Sequence, residues 1–566
     1  MTGWMRLPAD PMANEVQAPP FSHPRWQLWP GLVIGSGLLL LAGLGLGSLL
    51  QASGASDAGR LLAGSYFQNV IRFTLWQAFL SVILSLGIAL PVAFALNRFR
   101  AFPGRALVLR LLELSLVLPT IVAVSGLIAV FGRQGWFTAL LDAGLPGHGW
   151  NLYGLNGILL AHVFFNAPLA ARILLQALET VPAPRLRVAS QLGLHGWWLW
   201  RAVHWPALRP VLPGLAALVF TLCFTSFAII MTLGGGPRTT TLEVAIYQAL
   251  RFEFDFTQAA LFALCQLAIC GSLWFLVFRK RLDTAFMPNR QLSQPASLVR
   301  GKWFGVACGL ALAAFIVFLM TPLVAIAVRG LPALIPINEP IALYHQLLPA
   351  TARSLLIAVP AGVGAVAVAL LTLAAANRAS GRWLAVIPAM TGYLPLIVPP
   401  LVLGTGLFIF LKPQLGNPMQ GWSLVALING LMAVPFTLQV LRGPVSSLDS
   451  ASKNQADQLG VLGWYRWRWL YWPILRRPIA LALAYGIALS LGDFGVIALF
   501  GSPGQPTLPV LLYQQLGSYR MTEAAGTGLW LLLVLISIFA SLSGVSSPSS
   551  GKGSGAIKPV PEPDHA

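Results

Sequence analysis

Long apolar runs, separated by short polar and basic connectors, dominate the chain. An α-helix needs about 20 mainly apolar residues to cross about 30 Å of hydrocarbon. Six such runs fall in the first half: Gly31 to Leu50, Phe73 to Leu96, Leu107 to Phe131, Ile158 to Leu175, Val211 to Leu233 and Ala259 to Phe278. Six more follow: Trp303 to Val328, Leu355 to Ala376, Leu384 to Phe410, Trp422 to Val440, Ile479 to Phe500 and Thr527 to Val545. The pattern predicts an all-α polytopic membrane protein of about twelve transmembrane helices in two six-helix halves. The halves are bounded at 31–290 and 303–545, with an N-terminal segment 1–30, a linker 291–302 and a Ser-, Gly- and Pro-rich tail 546–566 that reads as disordered. The first run lies away from the N-terminus between polar flanks, so it reads as a span rather than a cleaved signal peptide.

Composition agrees with the pattern. Of 566 residues, 57% are hydrophobic and only 9% are charged, where a soluble domain carries about a quarter charged. Cys223, Cys265, Cys270 and Cys308 all lie in apolar stretches, spaced for neither a disulfide framework nor a metal site, and read as small core residues. The seven His residues show no metal-binding spacing.

The formal charge of +19 acquires its meaning from placement. The connectors after the second, fourth, sixth, eighth and tenth runs carry Arg98, Arg100 and Arg105, then Arg185, Arg187, Arg201 and Arg209, then Arg279, Lys280 and Arg281, then Arg378 and Arg382, then Arg466, Arg468, Arg476 and Arg477. Alternate connectors are poor in basic residues. Short basic loops stay in the cytoplasm. Both termini are therefore expected in the cytoplasm, and the charge belongs to topology, not to a nucleic-acid partner.

One connector is duplicated. VASQLGLHGWWLWRAVHWPALRP, from Val188, matches QADQLGVLGWYRWRWLYWPILRR, from Gln455, at an offset of about 267 residues. Ala189, Gly193, Gly196, Trp197, Trp200, Trp205, Pro206 and Arg209 meet identical Ala456, Gly460, Gly463, Trp464, Trp467, Trp472, Pro473 and Arg476. Matches extend outward: Asn97-Arg98 with Asn377-Arg378, Leu118-Pro119 with Leu394-Pro395, Phe227 with Phe494, and Tyr247-Gln248 with Tyr513-Gln514. The loops 179–210 and 446–478 thus present the same features twice. Small Ala189 and Gly193 leave room for another protein's groove, the Trp residues offer rigid apolar area, and Pro206 and Pro473 are expected to stop the loop helix before the next span. A single such loop would also suit a helix lying on lipid headgroups; two matched copies favour docking.

These loops resemble the "EAA" signature of ABC importer permeases. Here it reads Arg187-Val188-Ala189, Gly193 and Val203-His204-Trp205-Pro206, and again Asn454-Gln455-Ala456, Gly460 and Leu470-Tyr471-Trp472-Pro473. The small residue, the Gly and the Pro keep their spacing; the acidic first position is lost in both copies, and Trp stands for Leu before Pro. The resemblance, sharpest over residues 189–250, is closest to the thiamine permeases of Gram-negative bacteria. It implies a multi-pass protein of the bacterial inner membrane that moves thiamine, and its phosphate esters, without being an enzyme. It also implies two copies of an ABC ATPase holding ATP and Mg, each seated on one loop, and a periplasmic thiamine-binding protein. The chain itself has no GxxxxGK[ST] phosphate loop. Fused iron(III) permeases share the architecture but usually keep more of the EAA consensus.

Asp493, in Ser490-Leu491-Gly492-Asp493-Phe494-Gly495, lies inside the eleventh run, where an acid costs about 2.5–3.5 kcal/mol to insert. It is a candidate for lining the pathway and meeting a thiazolium cation; the alternative is that it caps a helix break marked by Gly492 and Gly495. Its mate in the repeat is Ser226, beside Thr225. Arg110 and Glu113 are spaced to pair with each other, and His162 and Asn166 read as isolated interhelical hydrogen bonders. The connector from Gly234 to Phe256, with Arg238, Glu243, Arg251, Glu253 and Asp255, is a candidate seat for the binding protein. A secondary transporter would more often gather several midplane charges, and a membrane enzyme would cluster acids or a nucleophile with its base. Neither pattern occurs here.

Overall fold

The computed structural model describes residues 29–52, 59, 63–100, 102–115, 117–145, 150–279, 302–335, 341–376, 398–411, 418–458, 461, 463–501 and 504–544. Most of the N-terminal segment and linker, the tail, Asn377-Arg378, Leu394-Pro395, the start of the ninth run and Gly460 lie outside these residues, as does the side chain of Ala456.

Every regular element among the described residues is helical. The first half contains α1 (Trp29–Ala52), α2 (Ser65–Arg98), α3 (Arg105–Leu114), α4 (Thr120–Phe131), α5 (Trp136–Gly144) and α6 (Leu155–Glu179). Its loop segment holds α7 (Ala183–Gln191), α8 (Gly196–Leu199), a π-turn (Trp200–His204) and α9 (Trp205–Leu208). Then come α10 (Leu212–Phe224), α11 (Phe227–Leu233), α12 (Leu242–Gln248) and α13 (Phe256–Arg279). The second half contains α14 (Lys302–Leu334), α15 (Ile341–Ala376), α16 (Pro400–Leu411), α17 (Pro418–Gln458), α18 (Gly463–Arg466), a π-turn (Trp467–Tyr471), α19 (Trp472–Leu491), α20 (Gly495–Phe500), α21 (Leu508–Gly517) and α22 (Met521–Gly544).

Ten helices are long and apolar enough to cross a membrane among the described residues, or eleven counting the pair Gly196–Leu208 and Leu212–Phe224, bent by 61°. Pro400–Leu411 is a shorter apolar helix. Three runs are interrupted within their expected bounds. The third run begins not at Leu107 but at Thr120, because the turn ending in Pro119 separates α3 from α4. Proline supplies no amide to continue a ladder and keeps its predecessor out of the helical region. The fifth and eleventh runs are each broken toward their C-terminal ends, at Thr225-Ser226 and at Gly492 to Phe494.

The halves interlock. Helix α1 packs on α16 and α15 of the second half, while α14 packs on α4 and α2 of the first. Each half's first helix therefore packs across on the other half, α14 packing also on α22 of its own. Both crossings close on a glycine: a Cβ on Gly126 of α4 would sit 2.7 Å from the Pro322 carbonyl of α14, and Gly406 of α16 lies directly against Gly45 of α1. Ser48 of α1 donates to the Gly406 carbonyl at 2.6 Å. Small residues permit such close backbone approach between membrane helices.

The connector from Gly234 to Phe256 is not simply a surface loop. After a turn with Gly235 at φ +75° and Gly236 at φ +146°, the chain folds back as α12, whose Leu242, Glu243, Val244, Ala245 and Ile246 are buried. Its first amide, on Leu242, is capped by the Thr74 hydroxyl of α2 at 3.1 Å. In the second half the Leu508 amide of α21 is capped by Ser354 of α15 at 2.9 Å. A helix end buried in this way needs such an acceptor.

Candidate translocation and docking sites

In the first duplicated loop, α7 ends in a Schellman motif. Leu194 N–H reaches the Ala189 carbonyl at 2.9 Å and Gly193 N–H reaches that of Ser190 at 3.0 Å. Gly193 itself has φ +64°, a conformation that disfavours residues with a Cβ. Nothing stands within 4 Å of a Cβ placed there, so the glycine serves backbone conformation. Ala189 is buried with Val181, Leu186, Leu199 and Val203 in a small core of the loop's own. Burial of Ala189 and the positive φ of Gly193 thus give each an intramolecular reason to be small, and the space outside Gly193 stays open.

Pro206 and Pro473 also act differently from expectation. Each falls in the first turn of a helix, α9 and α19, and α19 runs on as a span. In both copies a π-turn precedes the Trp-Pro pair, at Trp200–His204 and Trp467–Tyr471. The wider turn fits the one place in the ladder where proline withholds its amide. Trp205 and Trp472, 37% and 47% exposed, stand at matched positions, and Trp197, Trp198, Trp464 and Trp469 are more exposed still. Trp197 stacks on Trp200, and Trp205 follows tilted by 30°, with centroids 4.7 and 5.2 Å apart.

The second constellation forms where the two broken spans meet. Helix α10 covers about 20 Å from the loop to Thr225-Ser226 at 1.5 Å per residue. The break frees the Cys223 carbonyl, which accepts from Gln77 of α2 at 3.1 Å and from Ser226 Oγ at 2.9 Å. Thr225 Oγ1 donates to the Thr221 carbonyl at 2.9 Å. Away from water, such groups must be paired within the protein. His162 of α6 bridges Ser81 and Ser226, both at 2.8 Å, and Asn166 donates to Cys223 Sγ at 3.2 Å. These are interhelical bonds as expected, but His162 is not isolated: it touches Ser226 directly.

At the matching break, Asp493 accepts the Ile497 amide of α20 at 3.4 Å and is hydrogen-bonded by Asn429 of α17. Asn429 also donates to Ser490 at 3.1 Å. Asn429 occupies the repeat position of His162, so a His–Ser pair in one half answers an Asn–Asp pair in the other. Asp493 does cap its helix break. Asp493, Ser226 and Thr225 are each half-buried rather than sealed. The residue after each of Ser226 and Asp493 is a phenylalanine, and Phe227 stacks on Phe494 with ring centroids 5.5 Å apart.

Two further pairings depart from expectation. Glu113 takes Arg172 of α6 at 3.1 Å, across two helices, where spacing had suggested Arg110. Glu243 is 2% exposed and accepts from Gln266 of α13 at 2.6 Å, so it is no part of an outer docking surface. Arg238, Phe252, Glu253 and Phe254 of the same connector remain exposed. The four cysteines are free, and Cys223, Cys270 and Cys308 are buried.

Two interlocked helical halves, broken spans meeting between them and loops that repeat a Gly-led helix, a π-turn and a Trp-Pro helix start define a polytopic permease of the ABC importer class. Comparison with known proteins makes the assignment specific. The chain is 42% identical over 483 residues to the thiamine transport system permease protein ThiP of Escherichia coli K12, covering 84% of this chain and 88% of that one. It is 40% identical over 528 residues to ThiP of Salmonella typhimurium, covering 91% and 96%. The chain belongs to the ThiP family of thiamine transport system permeases. A more distant match, 27% identical over 202 residues, is to the sulfate transport system permease protein CysW of Synechococcus elongatus. No family model matches the chain.

Proposed function

We propose that this chain forms the membrane pathway of an importer that brings thiamine, and its phosphate esters, across the bacterial inner membrane, both termini lying in the cytoplasm. Energy comes from ATP hydrolysis in two ABC ATPase subunits, which hold ATP and Mg. One ATPase seats on the loop around Ala189, Gly193, Trp205 and Pro206, the other on the loop around Ala456, Gly460, Trp472 and Pro473. A periplasmic binding protein delivers the cargo. The observation that carries this reading is the repetition, at matched positions, of a short Gly-led helix, a π-turn and a Trp-Pro helix start with its Trp exposed. A lipid-facing helix has no need of such register. In the mechanism, ATP binding closes the ATPases, draws the two loops together and tilts the halves, so that the path by Thr225, Ser226 and Asp493 opens outward; hydrolysis resets it.

The test is uptake of radiolabelled thiamine by proteoliposomes holding this chain, its ATPase and its binding protein. Uptake that requires ATP supports the reading. An assembled complex that hydrolyses ATP but moves no thiamine removes the cargo assignment, and uptake without ATPase removes the class.

A further inference from the structure

Four aromatic rings line the meeting of the halves. Tyr247 of α12 lies edge-on to Phe227 at 5.1 Å, Phe227 stacks on Phe494, and Phe494 meets Tyr513 of α21 at 4.7 Å. The four are two repeat-matched pairs, so the ladder is built symmetrically. Its inner rings stand at the two helix breaks, Phe227 as the first residue of α11 and Phe494 as the last before α20, and both are buried. Apolar packing alone would be served by leucine or valine, which fill most of this interior. Rings add faces of negative potential, which attract cations. The symmetry fails at one place: the residue before Phe494 is the carboxylate Asp493, whereas the residue before Phe227 is the neutral Ser226.

We propose that the ladder is the cargo subsite for a flat aromatic cation, which enters between Phe227 and Phe494 when the halves part, with Asp493 as its counter-charge. As they stand the two rings cover each other's faces; separating them to about 7–8 Å, two contacts of 3.5–4.0 Å, admits one planar ring. The one-sided carboxylate then orients the cargo, cationic end toward the second half. This rests on the thiamine reading, whose thiazolium is such a cation.

The experiment is equilibrium binding of thiamine, and of an analogue whose thiazolium is replaced by a neutral thiazole, to the purified permease–ATPase complex. Phe227→Leu and Phe494→Leu should each weaken thiamine binding about 2- to 30-fold, while the neutral analogue changes little, and Phe494→Tyr should retain thiamine affinity. Leu variants that bind thiamine like the parent, or that lose both compounds equally, overturn the proposal. If the parent complex binds no thiamine, the thiamine reading fails separately. The same variants are then titrated with N-methylpyridinium and N-methylquinolinium. A cation bound by the parent and lost in the Leu variants sustains the ladder, and none bound refutes it.

Discussion

Asp493 holds two positions at once: it caps α20, and it leaves part of its surface open beside the stacked phenylalanines. The two roles separate chemically, because an asparagine oxygen still accepts the Ile497 amide but carries no charge. Asp493→Asn is therefore expected to insert and assemble normally. Its thiamine uptake should fall about tenfold or more, the scale of losing a charge-assisted contact worth about 1.5–3 kcal/mol. Unchanged uptake, measured beside equal amounts of assembled complex, would leave capping as the whole role of this acid. Glu243 differs in kind: fully buried on Gln266, it belongs to the scaffold that holds α12 against α13.

At the scale of elements, the loop's glycine separates two explanations of one motif. If Gly193 is required for its positive φ, asparagine should serve, since it enters the left-handed region most readily among the other residues. If a partner needs the space, any side chain should interfere. The positive φ of Gly193 favours the first, while its open surroundings suit both. We expect Gly193→Asn to retain the ATPase through affinity purification. Gly193→Val, which forces a β-branched residue to pay about 1–2 kcal/mol of strain, should release much of it. Equal loss in both variants would restore the steric account. Proline in the same loop teaches a similar lesson, since a residue read as a helix stop proves compatible with a helix start once a π-turn precedes it.

At the scale of the whole molecule, the exchange of first helices makes the halves mechanically inseparable. A tilt of one half is expected to pull on the partner's first helix. The contact of Gly45 with Leu403, where a Cβ on Gly45 would lie 3.6 Å from the leucine side chain, gives a direct check. When residues 1–290 and 291–566 are expressed as separate chains, Gly45→Cys with Leu403→Cys should join them into one reducible band on a denaturing gel. Absence of that band, with both fragments in the membrane, would disprove the exchange.

Much of this was legible in the sequence, because a bilayer imposes a strong local rule: an apolar run of span length is a helix, and its basic flanks orient it. The all-helical class, most of the spans, the duplicated loops and the matched pairs Phe227/Phe494 and Tyr247/Tyr513 all follow from local patterns. The rest depended on which helices touch. Thr225-Ser226 reads as continuous span, and Gly492 with Gly495 marks a break only as one of two readings of Asp493; packing alone shows that both spans break and that neighbouring side chains satisfy the freed Cys223 carbonyl. Glu243 looked like a loop acid because its partner, Gln266, lies on the following helix and becomes a neighbour only when the chain folds back. That Phe227 meets Phe494, rather than merely matching it, is likewise a fact of tertiary structure. A repeat fixes equivalence, whereas contact across the pseudo-twofold requires that both residues lie beside its axis.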